Sequence, residues 1–329
     1  MKYVVLARNL DSKAGGIGVY GRNLIKNLST RGIEVVVSPR ERLSYFKWLL
    51  FDIPLFLLKS DAEVYHAIGI IEGILLPIIK PKAKKYITIH DLIPLKHRGK
   101  GFRKMLEWLL VRLGLFSARF YDKIFAVSHL TKIDIIRFGG IEEDKIEVVY
   151  QPIEEKFLRT SPHKKEGGTF NIGYISRMEE YKRHELLIKL FREYKNPNGR
   201  LYLAGSGPLF ERIRKISEKD KRIILLGFVP DEKVVEFYDM LDVYIHPSKY
   251  EGWGLPIVEA IARKKPVIIF EDADISREVR GLCLVVSLGT LFNMLDNRKH
   301  LKKLSVISYR RLKVMKTYEN SNSDSSSGV

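Results

Sequence analysis

Hydrophobic and polar positions along the chain follow two alternating rhythms. Short runs rich in Val, Ile and Tyr are interspersed with stretches whose apolar residues return every three to four positions. The runs predict strands at Tyr3–Arg8, Glu34–Ser38, Val64–Ile68, Tyr86–His90, Lys123–Val127 and Lys145–Tyr150. They recur at Phe170–Ser176, Arg200–Ala204, Arg222–Gly227, Val243–His246, Pro266–Phe270 and Leu282–Val286. Alternation of this kind feeds a mostly parallel sheet, so the fold class is α/β, and six strands in each half predict two doubly wound domains. Between the halves, Pro152–Thr169 holds two prolines, a Lys-Lys pair and Gly167-Gly168, which reads as an exposed connection with the cut near residue 160. The expected domains are therefore 1–160 and 161–300. Residues 301–329 read as a basic helix ending in a disordered Ser/Asn-rich tail.

A length of 329 residues agrees with two domains. The apolar stretches Trp48–Leu58 and Ile68–Ile79 fall short of the roughly 20 residues that span a bilayer. MKYVVLARNL reads as a first strand and not as a secretory leader, so the cytosol is the expected location. The single cysteine, Cys283, excludes a disulfide framework within the chain and a cysteine-based metal site.

A formal net charge of +18 favours anionic partners, and much of it is local: Lys80–Lys123 carries twelve basic against three acidic residues. Within that stretch Phe102, Leu106, Leu109, Leu113, Phe116 and Phe120 lie within about 40° of one line on a helical wheel, a stripe expected to face the core. Trp108, Val111 and Leu115 then fall on the opposite face beside Lys104, Arg112 and Arg119. That arrangement suits an anionic membrane surface on the inner side of the cell membrane; the other reading is a helix buried on both sides.

In an open parallel sheet, ligands bind beyond the carboxyl ends of the strands, so residues just after each strand come first. Gly15 and Gly16 open a helix after the first strand, where backbone N–H groups can approach an anion. His90 and Asp91 follow the fourth. Arg177 and Lys182 straddle the loop after Phe170–Ser176, where a planar guanidinium and a point charge can clamp a diphosphate. Pro247–Ala260 combines two acids, Glu251 and Glu259, with Gly252 and Gly254 ahead of a helix that has Pro256 in its first turn. There unpaired helix N–H groups can meet a phosphate while carboxylates accept hydrogen bonds from sugar or ribose hydroxyls.

These residues resemble the retaining glycosyltransferase family 4 of the GT-B fold, in which two Rossmann-like domains face a central cleft. Glu251 and Glu259 match its Glu-x7-Glu signature, Arg177 and Lys182 its Arg-x4-Lys clamp, Gly15-Gly16 its N-terminal glycine loop, and Gly205-Ser206-Gly207-Pro208 its Gly-x-Gly-Pro turn. The likeness runs from about residue 3 to 286. Ser176 stands where the family usually has glycine.

The resemblance implies that Glu259 binds the donor's ribose. Glu251 would hold hydroxyls of the transferred sugar, helped by the amides of Gly252, Trp253, Gly254 and Leu255. Arg177 and Lys182 would neutralise the leaving diphosphate, His90 would contact the reacting sugar, and Gly205 and Val229 would complete the donor site. It implies a nucleotide-diphosphate sugar as donor, with mannose the first guess for the hexose, and a glycan or lipid-linked acceptor. Neither a metal nor a cofactor is expected, and Asp272-Ala273-Asp274 reads as a loop. A nucleotide-sugar epimerase or hydrolase of the same fold is an alternative that needs no acceptor. A basic nucleic-acid-binding protein is another, disfavoured by the lack of an RNA-binding motif, so nucleic acid is not an expected partner.

Overall fold

A computed structural model describes residues 1–11, 15–41, 45–159 and 168–325, with side chains through Met315. They form two compact units, Met1–Pro152 and Ile153–Val329. The first is built on β1 (Lys2–Leu6), β2 (Glu34–Val37), β3 (Val64–Ala67), β4 (Lys84–Ile89), β5 (Lys123–Ala126) and β6 (Ile146–Val148). These pair in parallel in the order β2-β1-β3-β4-β5-β6. The second is built on β7 (Phe170–Ile175), β8 (Gly199–Ala204), β9 (Ile223–Gly227), β10 (Val243–His246), β11 (Val267–Phe270) and β12 (Leu284–Val286). They too are parallel, in the order β12-β11-β10-β7-β8-β9. Every expected strand is present, with ends shifted by a residue or two.

Side-chain alternation divides the first sheet between two cores. On one face Val4, Leu6, Tyr65, Ala67, Ile87 and Ile89 meet Trp48, Ile53, Leu57, Val111 and Leu115 from the covering helices. On the other Tyr3, Val5, Val64 and Tyr86 meet Tyr20 and Leu24 of the helix Gly15–Thr30. Strand order reverses direction between β1 and β3 in the first unit and between β7 and β10 in the second. A doubly wound sheet leaves a crevice outside the carboxyl ends of the strands at such points.

Three expectations are corrected. Pro152–Thr169 is not a plain connection: a short helix, Glu155–Leu158, buries Phe157 beside Tyr238, with ring centroids 6.0 Å apart. Arg263 donates to the carbonyl oxygens of Phe157 and Arg159, so one aromatic anchor pins a segment whose composition reads as a linker. Residues 160–167 of that stretch lie outside the described ones. At the other end, helical backbone from Arg298 runs to Ser325, through the first residues of the expected disordered tail.

The third correction concerns the helix Phe102–Ala118, which presents the opposite face to the sheet. Val111, Leu115 and Ala118 are buried, while Phe102, Leu109, Leu113, Phe116 and Phe120 of the expected core stripe are exposed. Trp108 is half-buried. Small residues decide the orientation. A Cβ on Gly114 would sit 2.6 Å from the Ile70 carbonyl oxygen, and Ser117 donates to the Ile74 carbonyl at 2.8 Å, so only this side can approach the chain that follows β3. Leu115→Ala should therefore cost about 3 kcal/mol of unfolding free energy in denaturant titration. Leu113→Ala should stay within about 0.5 kcal/mol, and the reverse ranking would restore the other orientation.

Candidate functional site

In the second unit the predicted residues gather along the carboxyl edge of the sheet. Arg177 and Lys182 follow β7, Gly205 follows β8, Val229 follows β9 and Glu251 follows β10. Two of these loops are locked together through main chain. Met178 N–H donates to Ser206 at 2.8 Å, Ser176 N–H to Ala204 at 3.1 Å, and Leu209 N–H to Met178 at 3.1 Å. Such an approach requires glycine. Gly205 has φ +124°, and a Cβ there would lie 1.9 Å from the Ser176 carbonyl oxygen. Gly205 thus acts by letting the β8 turn press against the loop that carries Arg177.

The loop after β10 is fixed on both sides. Lys249 N–H donates to the Tyr181 carbonyl at 2.8 Å, Asp274 N–H donates to the Lys249 carbonyl at 2.8 Å, and Glu251 N–H donates to the Asp274 carbonyl at 3.1 Å. Gly254, at φ +84°, turns the chain into the helix Leu255–Ala262, with Pro256 in its first turn. Trp253 and Leu255 are buried beneath the turn and Gly252 is half-buried. Asp272 is engaged by Arg183, at 2.9 and 2.8 Å, and by Lys249, at 3.2 Å; the hydrogen bonds from Arg183 lead in holding its carboxyl low, at about 2.

Glu251 is the centre of this edge. Only 8% exposed, it receives Lys182 Nζ and His246 Nε2 on the same oxygen, Oε1, each at 2.6 Å. Burial pushes its carboxyl up, but Lys182 and then His246 outweigh that and hold it at about 2. It is an anion at every physiological pH. Burial lowers His246, against the pull of Glu251. The Tyr244 hydroxyl lies between His246 Nδ1 at 3.3 Å and the Ile175 carbonyl at 3.1 Å.

Glu259 behaves differently. It accepts a hydrogen bond from Tyr238 at 2.8 Å and makes no ion pair among the described residues. Burial pushes it up to about 7, with Glu154 and Asp231 adding to the rise and Tyr238 and Lys156 opposing it. Lys182 and Glu251 meet; Arg177 is exposed with its Nε on Glu179, and Glu259 sits with Tyr238. An open guanidinium finds the nearest carboxylate along its own loop, which spacing alone does not reveal.

His90 occupies the carboxyl edge of the first sheet, just past β4. Its Nε2 lies 3.0 Å from the Ile68 carbonyl and its Nδ1 2.7 Å from Nε2 of Gln151, the only glutamine in the chain. Burial drops its pKa to about 4, against the Ile68 bond, so the imidazole is neutral and fixed. Tyr20 meets its ring edge-on at 5.0 Å. Gly15, at φ +64°, and Gly16 stand exposed at the start of the helix Gly15–Thr30.

Two adjoining family models match the chain. "Glycosyltransferase Family 4" covers residues 14–157, and "Glycosyl transferases group 1" covers 157–281. By these matches and its topology, the chain has the GT-B fold, and its two halves resemble in order the paired domains of glycosyltransferases. Among solved structures it resembles Anabaena HepE in complex with UDP and glucose, with TM-score 0.76, 17% identity and full coverage of both chains. It also resembles a sucrose-phosphate synthase from Thermosynechococcus elongatus, with TM-score 0.77, 16% identity, and 95% and 94% coverage. The capsular polysaccharide glycosyltransferase CapM of Staphylococcus aureus is 28% identical over 51% of this chain and 48% of its own. The Escherichia coli mannosyltransferase WbdA is 24% identical over 60% and 27%. The chain thus spans about half or less of the length of these two curated relatives.

Sequence reading missed His246, Tyr244 and Tyr238. All three are buried, and they connect the surroundings of Glu251 and Glu259. One signal was available: His246 is a titratable residue at a strand's carboxyl end, close in sequence to Glu251. Gly205→Ala should lower stability by about 3 kcal/mol in thermal or chemical denaturation, because the obstacle is backbone. Lys182→Met should raise the Glu251 pKa from about 2, read by carboxyl-carbon NMR titration; an unchanged value would mean that Lys182 does not hold the charge.

Proposed function

We propose that this protein moves a hexose from a nucleotide-diphosphate sugar to a hydroxyl of a glycan or lipid-linked acceptor, with retained configuration. The observation that carries the reading is Glu251, buried and ionised, taking Lys182 and His246 on Oε1 at the carboxyl edge of β7 and β10. Oε2 is then left to accept hydroxyl hydrogen bonds from the sugar, and the cation sits beside the place where leaving-group charge grows. Departure of a nucleoside diphosphate from an oxocarbenium-like centre needs fixed positive charge above all. Lys182 and Arg177 supply it, so we assign the transfer to metal-independent chemistry. Donor contacts fall to Glu259 at the ribose, to the amides from Gly252 to Leu255, to Gly15 and Gly16, and to Gly205 and Val229. His90 contributes a neutral, rigid edge toward the transferred sugar.

Mannose is the first choice of hexose, supported by the likeness to WbdA, which is named a mannosyltransferase. Glucose is the second, since the HepE structures are titled with UDP and glucose or UDP-glucose. A thermal-shift screen with GDP-mannose and UDP-glucose separates them, because a ligand selecting the native state raises its apparent stability. Product analysis with donor alone separates transfer from epimerisation or hydrolysis.

Lys182→Ala should reduce transfer roughly 100-fold. Undiminished transfer by a folded variant would reject the assignment, and activity lost in excess chelator would reject the metal-independent part. Affinity for a nucleoside diphosphate should rise about tenfold from pH 6 to pH 8, because Glu259 becomes a carboxylate through about 7 and only then accepts both ribose hydroxyls. In Glu259→Gln that part of the pH dependence should vanish in calorimetric titration, leaving only the contribution of the nucleotide's own phosphate.

A further inference from the structure

The helix layer on one face of the first sheet is apolar on both sides. Its inner side fills a single core: Trp48, Ile53 and Leu57 from one segment, Leu76 from a second, and Val111 and Leu115 from the helix Phe102–Ala118. All three segments pack on the same strand face, so their opposite sides all point away from it. There Phe51 and Leu58 are 67% and 68% exposed, Ile78 is 75% exposed, and Phe102, Phe116 and Phe120 are 75%, 58% and 58% exposed. A surface helix ordinarily turns charged and polar groups outward, and clustered large apolar residues mark an interaction site.

Chemistry of the patch selects the partner. Its side chains offer no hydrogen-bonding groups, so they cannot read a directional surface. Cations border them: Arg103, Arg112 and Arg119 are exposed on the same helix, within the stretch Lys80–Lys123 that holds twelve basic and three acidic residues. Arg103 and Arg112 make no ion pair among the described residues, and the Arg119 guanidinium lies 5.8 Å from the Phe116 ring centroid. Two copies meeting through this face would press like charges together. An anionic bilayer accepts both halves at once, apolar groups at the headgroup–acyl boundary and cations among lipid phosphates. We propose that the outer face of this helix layer inserts into an anionic membrane surface, through Phe102, Leu109, Leu113, Phe116 and Phe120, with Arg103 and Arg112 at the headgroups. This face differs from the Trp108 face that the helical wheel selects. It goes beyond the transfer reaction and makes no use of the donor residues.

The test is sedimentation of the full chain with phosphatidylcholine vesicles, with and without about one-third phosphatidylglycerol, at low and moderate salt. Binding should be at least about tenfold stronger to the anionic vesicles and only partly reversed by salt. Leu113→Ser combined with Phe116→Ser should weaken it about tenfold or more, with unfolding midpoint unchanged. Arg103→Glu combined with Arg112→Glu, which leaves every apolar group in place, should weaken it by a similar factor. Equal binding to neutral and anionic vesicles, or no effect of either pair, overturns the proposal. So does a dimer in analytical ultracentrifugation that disappears in the Leu113→Ser, Phe116→Ser variant while vesicles are ignored. Nucleotide thermal shifts recorded on the same variants report the donor site separately, so loss of lipid binding and failure of the transferase reading are distinguishable.

Discussion

A carboxylate removed from water is tolerated only where cations and donors replace the lost hydration. Glu251 meets that condition through Lys182 and His246, which come from the ends of two neighbouring strands. Satisfying one oxygen therefore ties the loop after β7 to the loop after β10. Backbone hydrogen bonds from Lys249 to Tyr181 and between Glu251 and Asp274 extend the same constraint. If that carboxylate lost its partners, the burial cost would fall on the sheet edge that also carries Arg177, Gly205 and Val229. Glu259, eight residues further along the chain, has a hydroxyl partner in place of a cation, and burial pushes its carboxyl up to about 7. Two acids of one sequence signature thus carry opposed electrostatics, a permanent anion and a switchable one.

Much of the fold was legible in the sequence because strands of a parallel sheet are buried on both faces and read as continuous apolar runs. The edge residues were legible because they follow those runs directly. Partners were not. Arg177 and Lys182 look equivalent by spacing, yet one reaches Glu179 and the other Glu251, since the choice depends on which carboxylate the folded loop brings near. His246 reads as a polar strand end until the turn after Pro247 brings Glu251 back over it. Phe157 shows the same limit, for one buried ring fixes a segment whose prolines, lysines and glycines signal a linker.

Orientation of the helix Phe102–Ala118 was misread for a different reason. A wheel weighs hydrophobicity and ignores volume. Gly114, Ser117 and Ala118 form the side that fits against neighbouring backbone, and close packing takes the small residues even when larger apolar ones lie opposite. What remains outside is a face with little affinity for water and a border of arginines, in the same unit as His90.

The turn at Gly205 holds its neighbour by main chain alone, and Gly207 approaches Met178 backbone in the same way. A contact that contains no side chain cannot be eroded by substitution at Ser176, Arg177 or Ser206, provided the two glycines persist. Side chains along this rim can then change while the path of the loops is inherited intact, a separation of scaffold from surface chemistry that suits an architecture shared at 16–17% identity.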